Sequence, residues 1–286
     1  EFGVMLYRVT GKGYRWLNPV QWLDKHAISQ YLADRSQRFQ ITIDEIVEST
    51  NTILLNTNKV QNFDQSMITV VVAELQTKGR GRRGRAWFSG LGDSLTFSLS
   101  WQFQQGVNFL AGLSLAIGVA IIRTFALLGI RDVTLKWPND LLFNASKLGG
   151  ILIELQGEAQ GPATAVIGVG INLVVSDKIK HLVDQDITDL YSIAHVSIDR
   201  NKLLATLLIE ITTVLEIFAN EGFSPFKEEW IGYHAFEAKE VEVLLPAGLI
   251  ERGIVNGITE EGSLRLQMGS RLKSFHCGEI SLRKIN

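Results

Sequence analysis

The chain has 286 residues, of which 46% are hydrophobic, and its 28 lysines and arginines nearly balance 30 aspartates and glutamates. This length and apolar content can bury the core of one large domain and one or two small ones, and they exclude an extensively disordered chain. The single cysteine, Cys277, excludes an internal disulfide and a cysteine cluster for zinc. We interpret it as a packed core thiol. Because no signal-peptide pattern opens the chain, we expect a reducing, cytoplasmic setting.

The first residues predict a hairpin followed by a short helix. Two β-rich runs, VMLYRV and GYRWL, flank the turn TGKG. A helix is predicted from 24 to 34, with Asp24 as its N-cap and with Ile28, Tyr31 and Leu32 on one apolar face.

The central region, from about residue 39, predicts a sheet with interspersed helices. The strands are expected at 39–49, 68–75, 93–103, 133–137, 147–155 and 163–171. The segment 93–103 alternates apolar and polar residues, so it should have one covered face. A helix over TILLNT follows Ser49, Thr50 and Asn51, which can cap it.

The stretch 107–130 is long and apolar enough to cross a membrane, and it carries one charge, Arg123. Strand-like runs flank it closely, so we interpret it instead as a core helix that ends at Gly129 as a C-cap. Further helices are predicted at 199–220, capped by Asp199, and from Ser224-Pro225 onwards.

From Lys239 the pattern changes to short strands with glycine-rich turns and no helix, which predicts a small antiparallel barrel or sandwich. We therefore divide the chain into residues 1–38, 39–238 and 239–286.

The most unusual segment is KGRGRRGRAWFS, residues 78–89, where five of the first eight residues are cationic. It matches G-x-G-x-x-G, but a dinucleotide site needs a helix to open at the loop, and here turn and strand follow. Such a composition is also typical of a nucleic-acid patch or of a solvated loop. We favour a flexible clamp for a phosphate-bearing ligand, since arginines donate in pairs to phosphate and glycines expose backbone N–H groups. Mutual repulsion should splay this loop until an anion neutralises it.

Other polar residues follow predicted strand ends. The run from Lys136 to Asp140 ends one strand, Lys147 precedes Gly149 and Gly150, and Gly168–Asn172 ends another strand. Because glycines in strands often mark close approach of a ligand or backbone, these ends predict a binding mouth.

Taken together, the motifs resemble those of bacterial biotin–protein ligases, some of which also act as biotin operon repressors. The matching segments are STN (49–51), ELQTKGRGRRGRAWFS (74–89), KWPNDLL (136–142), KLGGILIEL (147–155), IGVGIN (167–172) and GEISLR (278–283). The resemblance covers essentially the whole chain, and the combination of GRGRRGR with KWPND is highly specific. It implies an α+β fold with a mixed sheet similar to class II aminoacyl-tRNA synthetases, followed by an SH3-like β-barrel.

The resemblance also implies a reaction and its participants. Biotin and ATP would be the substrates, with Mg²⁺, and biotinyl-5′-AMP the intermediate. A lysine of a biotin carboxyl carrier protein would be the acceptor. The family often pairs through its sheet, which makes a homodimer a candidate assembly.

The resemblance assigns roles by position. The biotin-binding set is Ser49, Thr50, Asn51, Gln76, Arg80, Gly81, Arg82, Lys147, Gly150 and Gly170. The ATP-binding set is Arg83, Arg85, Trp87, Asn139 and Asn172. The catalytic set is Lys136, Asp140, Arg82 and Lys147. Asp140 is the candidate either for binding Mg²⁺ or for assisting the acceptor lysine, and the sequence leaves both open.

Two regions depart from the family. Residues 1–38 resemble only the wing hairpin and linker helix of a winged helix-turn-helix, so we expect no specific DNA binding by the chain as it stands. The segment 174–197, near the adenine in the family, is divergent, and we assign no contacts to it. Two competing hypotheses are a regulator that binds biotinyl-adenylate or nucleic acid through the basic loop, and a ligase for lipoate or another acyl acid.

Overall fold

The computed structural model describes residues 6–16, 20–57, 67–194, 198–245, 249–276 and 281–284. Cys277 and the start of GEISLR lie outside the described residues, so the core-thiol interpretation stays a prediction.

The N-terminal elements are a hairpin and a capped helix. Strands β1 (Leu6–Val9) and β2 (Gly13–Trp16) pair antiparallel, as expected. Helix α1 (Lys25–Leu32) begins after Asp24, whose carboxylate accepts the Ala27 N–H at 2.7 Å. Ile28 and Leu32 are buried, but Tyr31 is 43% exposed because its hydroxyl reaches out to the Asp199 carboxylate at 2.9 Å.

A seven-stranded mixed sheet forms the centre of the molecule. Its strands are β3 (Phe39–Val47), β4 (Ile68–Gln76), β7 (Ser94–Phe103), β8 (Thr134–Lys136), β9 (Asp140–Phe143), β10 (Ser146–Gly157) and β11 (Ala163–Asn172). Their order in the sheet is β3-β4-β7-β11-β10-β9-β8, in which β3 and β4 are parallel and every other pair is antiparallel. A separate small hairpin is formed by β5 (Gly79–Arg80) and β6 (Ala86–Trp87).

The sheet has apolar helices on one face and the short helix α2 (Thr50–Thr57) on the other. The first group includes α3 (Leu113–Leu127) and α6 (Arg200–Glu221), which join the core residues of β7 and β11 in one buried cluster. The predicted 107–130 helix is shorter than a membrane span, because a 3₁₀ turn precedes α3, and Gly129 follows it with φ 77°. Within the described residues, α6 is long and apolar enough to cross a membrane. However, 56% of its apolar 18-residue stretch is buried inside the protein, as in a core helix.

One prediction about the sheet was wrong, and one strand was not predicted. Strand β7 has no exposed face, because Ser94, Thr96, Ser98 and Ser100 are all buried. Its polar positions face the side covered by α2, where hydroxyls find hydrogen-bond partners. The run from Lys136 to Asp140 does end a strand, as predicted, but Asp140 then begins β9, which pairs with β8 and was not predicted.

The C-terminal part is a five-stranded antiparallel sheet, and no helix occurs in its described residues from 240 onwards. Its strands are β12 (Glu240–Leu244), β13 (Ile250–Ile258), β14 (Leu264–Met268), β15 (Arg271–Phe275) and β16 (Ser281–Lys284). Three short helices, α4 (Asp177–Leu182), α5 (Leu190–Ala194) and α7 (Lys227–Tyr233), connect the larger elements. The small sheet contacts the KWPND turn directly, since the Trp137 indole N–H donates to the Gly262 carbonyl at 3.0 Å.

Candidate active site

A large cleft lies on the α2 side of the central sheet. Its floor follows the strand register, in which Thr96, Gly170, Gly150 and Asp140 are successive neighbours across β7, β11, β10 and β9. The space within the cleft is about 1280 Å³, a volume that includes open solvent at its mouth.

Every residue that the sequence predicted for the site lines this one cleft. The set is Ser49, Thr50, Asn51, Gln76, Arg80, Gly81, Arg82, Arg83, Arg85, Trp87, Lys136, Asn139, Asp140, Lys147, Gly150, Gly170 and Asn172. They come from β4, the basic hairpin, β8, β9, β10, β11 and the start of α2, so the fold brings together motifs that are far apart in sequence.

The glycines of the cleft floor lie against different side chains. A Cβ on Gly168 would lie 2.3 Å from Asn51 Oδ1, and one on Gly170 would lie 2.8 Å from the Trp87 ring. The space predicted at Gly170 for a ligand is therefore occupied by the Trp87 indole. Gly150 faces open space instead, with a Cβ in ordinary contact with Lys147 and Asp140.

At one end of the cleft, a chain of hydrogen bonds fixes the side-chain amide of Asn51. Its Nδ2 donates to Glu154 Oε2 at 2.9 Å and to the Leu152 carbonyl at 3.3 Å, and both oxygens only accept. Asn51 Oδ1 must then face Ser98, whose hydroxyl donates to it at 2.5 Å. The orientation of the amide is thus set by acceptors on β10.

This orientation assigns the remaining hydroxyl protons of the chain. Ser98 gives its only proton to Asn51, so its 2.6 Å contact with the Thr50 hydroxyl requires Thr50 to donate. Gln76 Oε1 accepts the Thr50 backbone N–H at 2.8 Å and lies within donating distance of the Thr50 hydroxyl, at 3.1 Å. Because Thr50 has a single hydroxyl proton, donating it to Ser98 over the shorter 2.6 Å distance withdraws it from Gln76. Thr50 Oγ1 is left as an acceptor and Gln76 Nε2 as a donor, and both residues line the cleft.

The basic segment covers the cleft as an ordered hairpin. Gly79 pairs with Trp87 and Arg80 with Ala86, and Arg83 forms the turn with φ 59°. Arg80 Nη2 contacts Glu154 Oε2 at 2.7 Å. The segment is therefore not splayed, although we expected splaying from the repulsion of its like charges. That expectation did not take account of the Glu154 carboxylate, which lies 74 residues further along the sequence.

The other end of the cleft is cationic. The residues that line it from the described part of the chain include Arg82, Arg83, Arg85, Lys136 and Lys147, and the carboxylate among them is that of Asp140. Lys147 Nζ lies 2.7 Å from Asp140 Oδ1, and Arg82 Nη1 donates to Asn139 Oδ1 at 3.3 Å. The excess of positive charge in a partly buried site favours an anionic ligand.

Several lining residues were missed from the sequence. The segment 174–194 contributes Ile179, Val183, Gln185 and Ile187 to the wall, and the C-terminal sheet contributes Leu282. Backbone bonds from Lys147 to Asp186 and Thr188 hold this segment against β10. The apolar residues Ile179, Leu182, Val183 and Ile187 were an available signal, but nothing local shows which way the segment folds.

Known proteins resemble both the central part and the C-terminal part of the chain. The family model for the "Biotin/lipoate A/B protein ligase family" matches residues 43–172, and that for the "Biotin protein ligase C terminal domain" matches residues 239–283. The "Bifunctional ligase/repressor BirA" of Salmonella typhimurium is 36% identical over 284 residues, which cover 99% of this chain and 85% of that protein. The "Biotin--[acetyl-CoA-carboxylase] ligase" of Mycobacterium tuberculosis is 31% identical over 215 residues, covering 74% of this chain and 77% of that protein.

A solved structure shows the same fold. The biotin protein ligase from Aquifex aeolicus in complex with biotin and ATP has a TM-score of 0.72 and 29% identity, covering 86% of this chain and 99% of its own. Both parts of the chain, the mixed sheet with its cleft and the small C-terminal sheet, therefore match one family. The chain belongs to the biotin protein ligases of the biotin/lipoate A/B protein ligase family.

Proposed function

We infer that this chain is an ATP-dependent biotin–protein ligase. It activates biotin to biotinyl-5′-AMP and transfers the biotinyl group to a lysine of a biotin carboxyl carrier protein. The observation that carries the inference is one continuous cleft whose hydrogen-bonding end and cationic end contain all the residues expected for biotin and for ATP.

The hydrogen-bonding end suits the ureido ring of biotin. A ureido group offers N–H donors beside a carbonyl acceptor, and Thr50 Oγ1 and Gln76 Nε2 offer the complementary acceptor and donor. We propose that Ser49, Thr50, Asn51 and Gln76 hold the ring. Arg80, Gly81 and Arg82 would close over the biotin, and Gly150 would admit its chain.

The cationic end suits the phosphates. In the first step, a biotin carboxylate oxygen bonds to the α-phosphorus of ATP as the bond to the bridging oxygen breaks, and pyrophosphate leaves with that electron pair. Arg82, Lys136 and Lys147 would stabilise the charge that develops on the phosphate oxygens. Arg83, Arg85, Trp87, Asn139 and Asn172 would hold the nucleotide, and Gly170 gives the Trp87 ring its place on the floor.

In the second step, the amine of the acceptor lysine attacks the carbonyl carbon of the mixed anhydride, and AMP leaves. The attacking amine must lose a proton, and Asp140 is the carboxylate of the described lining residues that can accept it. The closed basic hairpin would keep water from the anhydride until the carrier arrives.

Asp140 also fits a magnesium ion, though only as part of a site that ATP completes. Within the described residues, no group of three or more histidine, cysteine or acidic side chains could hold a metal alone. Because Mg²⁺ typically takes one or two carboxylates plus substrate phosphates, one carboxylate suffices here. When bound, the ion would neutralise charge on the phosphate oxygens.

Finer features complete the proposal. We propose a class II aminoacyl-tRNA synthetase-like catalytic domain over 39–238 and an SH3-like barrel over 239–286. The enzyme is proposed to be cytoplasmic, with a homodimer as a candidate assembly. Residues 1–38 are proposed as the wing and linker of a winged helix-turn-helix. The alternative function, adenylate-responsive repression, is favoured by the β1–β2 hairpin and by relatives named ligase/repressor.

The decisive experiment is biotin-dependent exchange of labelled pyrophosphate into ATP, with Mg²⁺ present. Exchange with biotin and not with lipoate supports the proposal, and transfer to a purified carrier domain extends it. Folded protein that shows no exchange would sink it. Tight DNA binding in a gel shift without ligand, weakening steeply with salt, would favour the regulator instead.

A further inference from the structure

Glu154 connects the two parts of the cleft that hold biotin in the proposed function, and no motif role covers it. It lies on β10, and its side chain is 26% exposed. A single oxygen, Oε2, accepts from Asn51 Nδ2 at 2.9 Å and from Arg80 Nη2 at 2.7 Å. One partner begins the hydrogen-bond chain of the cleft, and the other belongs to the basic hairpin.

We propose that Glu154 is a positioning residue that sets the direction of this hydrogen-bond chain and aligns the hairpin with it. The proposal rests on the proposed function, because it explains how the site presents an acceptor to a ureido N–H. The carboxylate cannot donate, so Asn51 must turn its Nδ2 towards it and its Oδ1 towards Ser98. Thr50 Oγ1 then keeps a lone pair for the ligand.

The opposite direction would leave a poorer acceptor. If Asn51 were turned over, its Nδ2 would donate to Ser98, Ser98 would donate to Thr50, and Thr50 would donate to Gln76. Thr50 Oγ1 would then accept the Ser98 proton, which leaves one of its two lone pairs for a ligand. An amide in place of the Glu154 carboxylate removes one of the two obstacles to this reversal, since it can donate to the inverted Asn51, and it leaves the Leu152 carbonyl as the other.

The same oxygen aligns the hairpin. Arg80 is 43% exposed, so its ion pair with Glu154 adds little to overall stability. It does hold the first strand of the hairpin over the residue that orients Asn51. The orientation of the hydrogen-bond chain and the closure of the hairpin therefore share one carboxylate, and both should be weakened together when its charge is removed.

The first test is Glu154→Gln in the full chain, with Glu251→Gln as the matched control. Glu251 is a carboxylate of similar exposure, 24%, whose ion pair with Lys273 lies in the C-terminal sheet. In pyrophosphate exchange, we expect Glu154→Gln to raise the KM for biotin about tenfold and the KM for ATP less than about twofold, as for loss of a charge-assisted hydrogen bond. The control should match the wild type.

The second test is Ser98→Ala, alone and combined with Glu154→Gln. If the hydrogen-bond chain acts as one unit, the double variant should raise the KM for biotin no more than about twofold beyond the larger single effect. If Glu154→Gln does not fold, Ser98→Ala must show the same biotin-selective rise by itself. Effects that multiply, or equal rises in both KM values, overturn the proposal. Wild-type protein without exchange refutes the ligase function instead, whereas active wild type with an unaffected Glu154→Gln refutes only the role of Glu154.

Discussion

Two arginine–glutamate pairs of equal length hold different regions of the molecule. Arg80 and Glu154 join the basic hairpin to β10, and Arg200 and Glu74 join the start of α6 to β4, each at 2.7 Å. The first pair is 43% and 26% exposed, whereas the second is 1% and 3% exposed. Distance alone therefore does not distinguish a movable contact from a permanent one, and burial does.

The buried pair is part of a larger junction. Arg200 Nη1 also donates to the Gln21 carbonyl at 2.6 Å, and Glu74 Oε1 accepts the Leu23 N–H at 2.7 Å. These bonds fasten the segment before α1 to the central sheet. The exposed pair makes no comparable set of backbone contacts, which suits a hairpin that must open for substrates.

The largest expected effect tests this contrast directly. Arg200→Met leaves Glu74 buried without its partner, so the free energy of unfolding should fall by about 3–5 kcal/mol. Arg80→Met, in the exposed pair, should cost less than about 1 kcal/mol. Urea denaturation measures both. Partial recovery of stability by Arg200→Met with Glu74→Leu would confirm the cause, since Glu74→Leu removes the unpaired charge but also the acceptor of the Leu23 N–H. Equal losses from the two single variants would remove the distinction.

The next effect separates rigid from open parts of the cleft. Gly168→Ala would place a Cβ 2.3 Å from Asn51 Oδ1, so Asn51 must shift. We expect about a hundredfold loss of kcat/KM for biotin, because the hydrogen-bond chain breaks. Gly150→Ala meets only ordinary contacts at 3.5 and 3.6 Å and should leave thermal stability unchanged while hindering ligand. A Gly168→Ala enzyme with a normal KM for biotin would show that the hydrogen-bond chain is not needed for biotin binding.

A smaller effect is expected where the hairpin meets the phosphate end. Arg82→Gly removes a donor that we place at the phosphate, so biotinyl-adenylate should escape about tenfold faster while still being formed. Escaped adenylate would biotinylate a bystander protein that has no carrier domain. The exposed Arg271 provides the control variant Arg271→Gly. Labelling confined to the carrier by the Arg82 variant would contradict the clamp role.

The sequence predicted the elements of this site better than their contacts. The glycine-rich turns and strand ends of KWPND and IGVGIN indicate a binding mouth locally, and the register of β9, β10 and β11 then brings them together. Asp24 and Asp199 are also local signals, and both cap helices as predicted.

The missed features depend on tertiary neighbours. Ser98 looked solvent-facing because alternation does not reveal that α2 covers its face. Nothing local distinguishes Glu154 and Glu74 from other strand carboxylates, since their arginines lie 74 and 126 residues away. The class of function could be predicted, but not the carboxylate that aligns the hairpin or the one that fastens the N-terminal segment.

The smallest effect concerns how deeply the junction around Arg200 is buried. Burial raises the pKa of Asp93 from 3.8 to about 6, the nearby Arg200 opposes the rise, and Asp189 adds to it. A raised pKa means that the folded protein binds the proton more tightly, so this carboxyl favours folding at low pH. That contribution is lost as the pH rises from about 4 to about 6.

Asp93→Asn should therefore raise Tm at pH 7 by about 2–4 °C, a modest value because the side chain is partly exposed. The difference from wild type should vanish as the pH falls to about 4, where both side chains are neutral. The control is Asp177→Asn, because the Asp177 carboxylate is 90% exposed. Its Tm should not differ from that of the wild type at either pH. An Asp93→Asn variant that is less stable than the wild type at pH 7, with the difference again vanishing at low pH, would mean that the Asp93 carboxylate is stabilised by Arg200. The junction would then act as a network of three charges rather than a single buried pair.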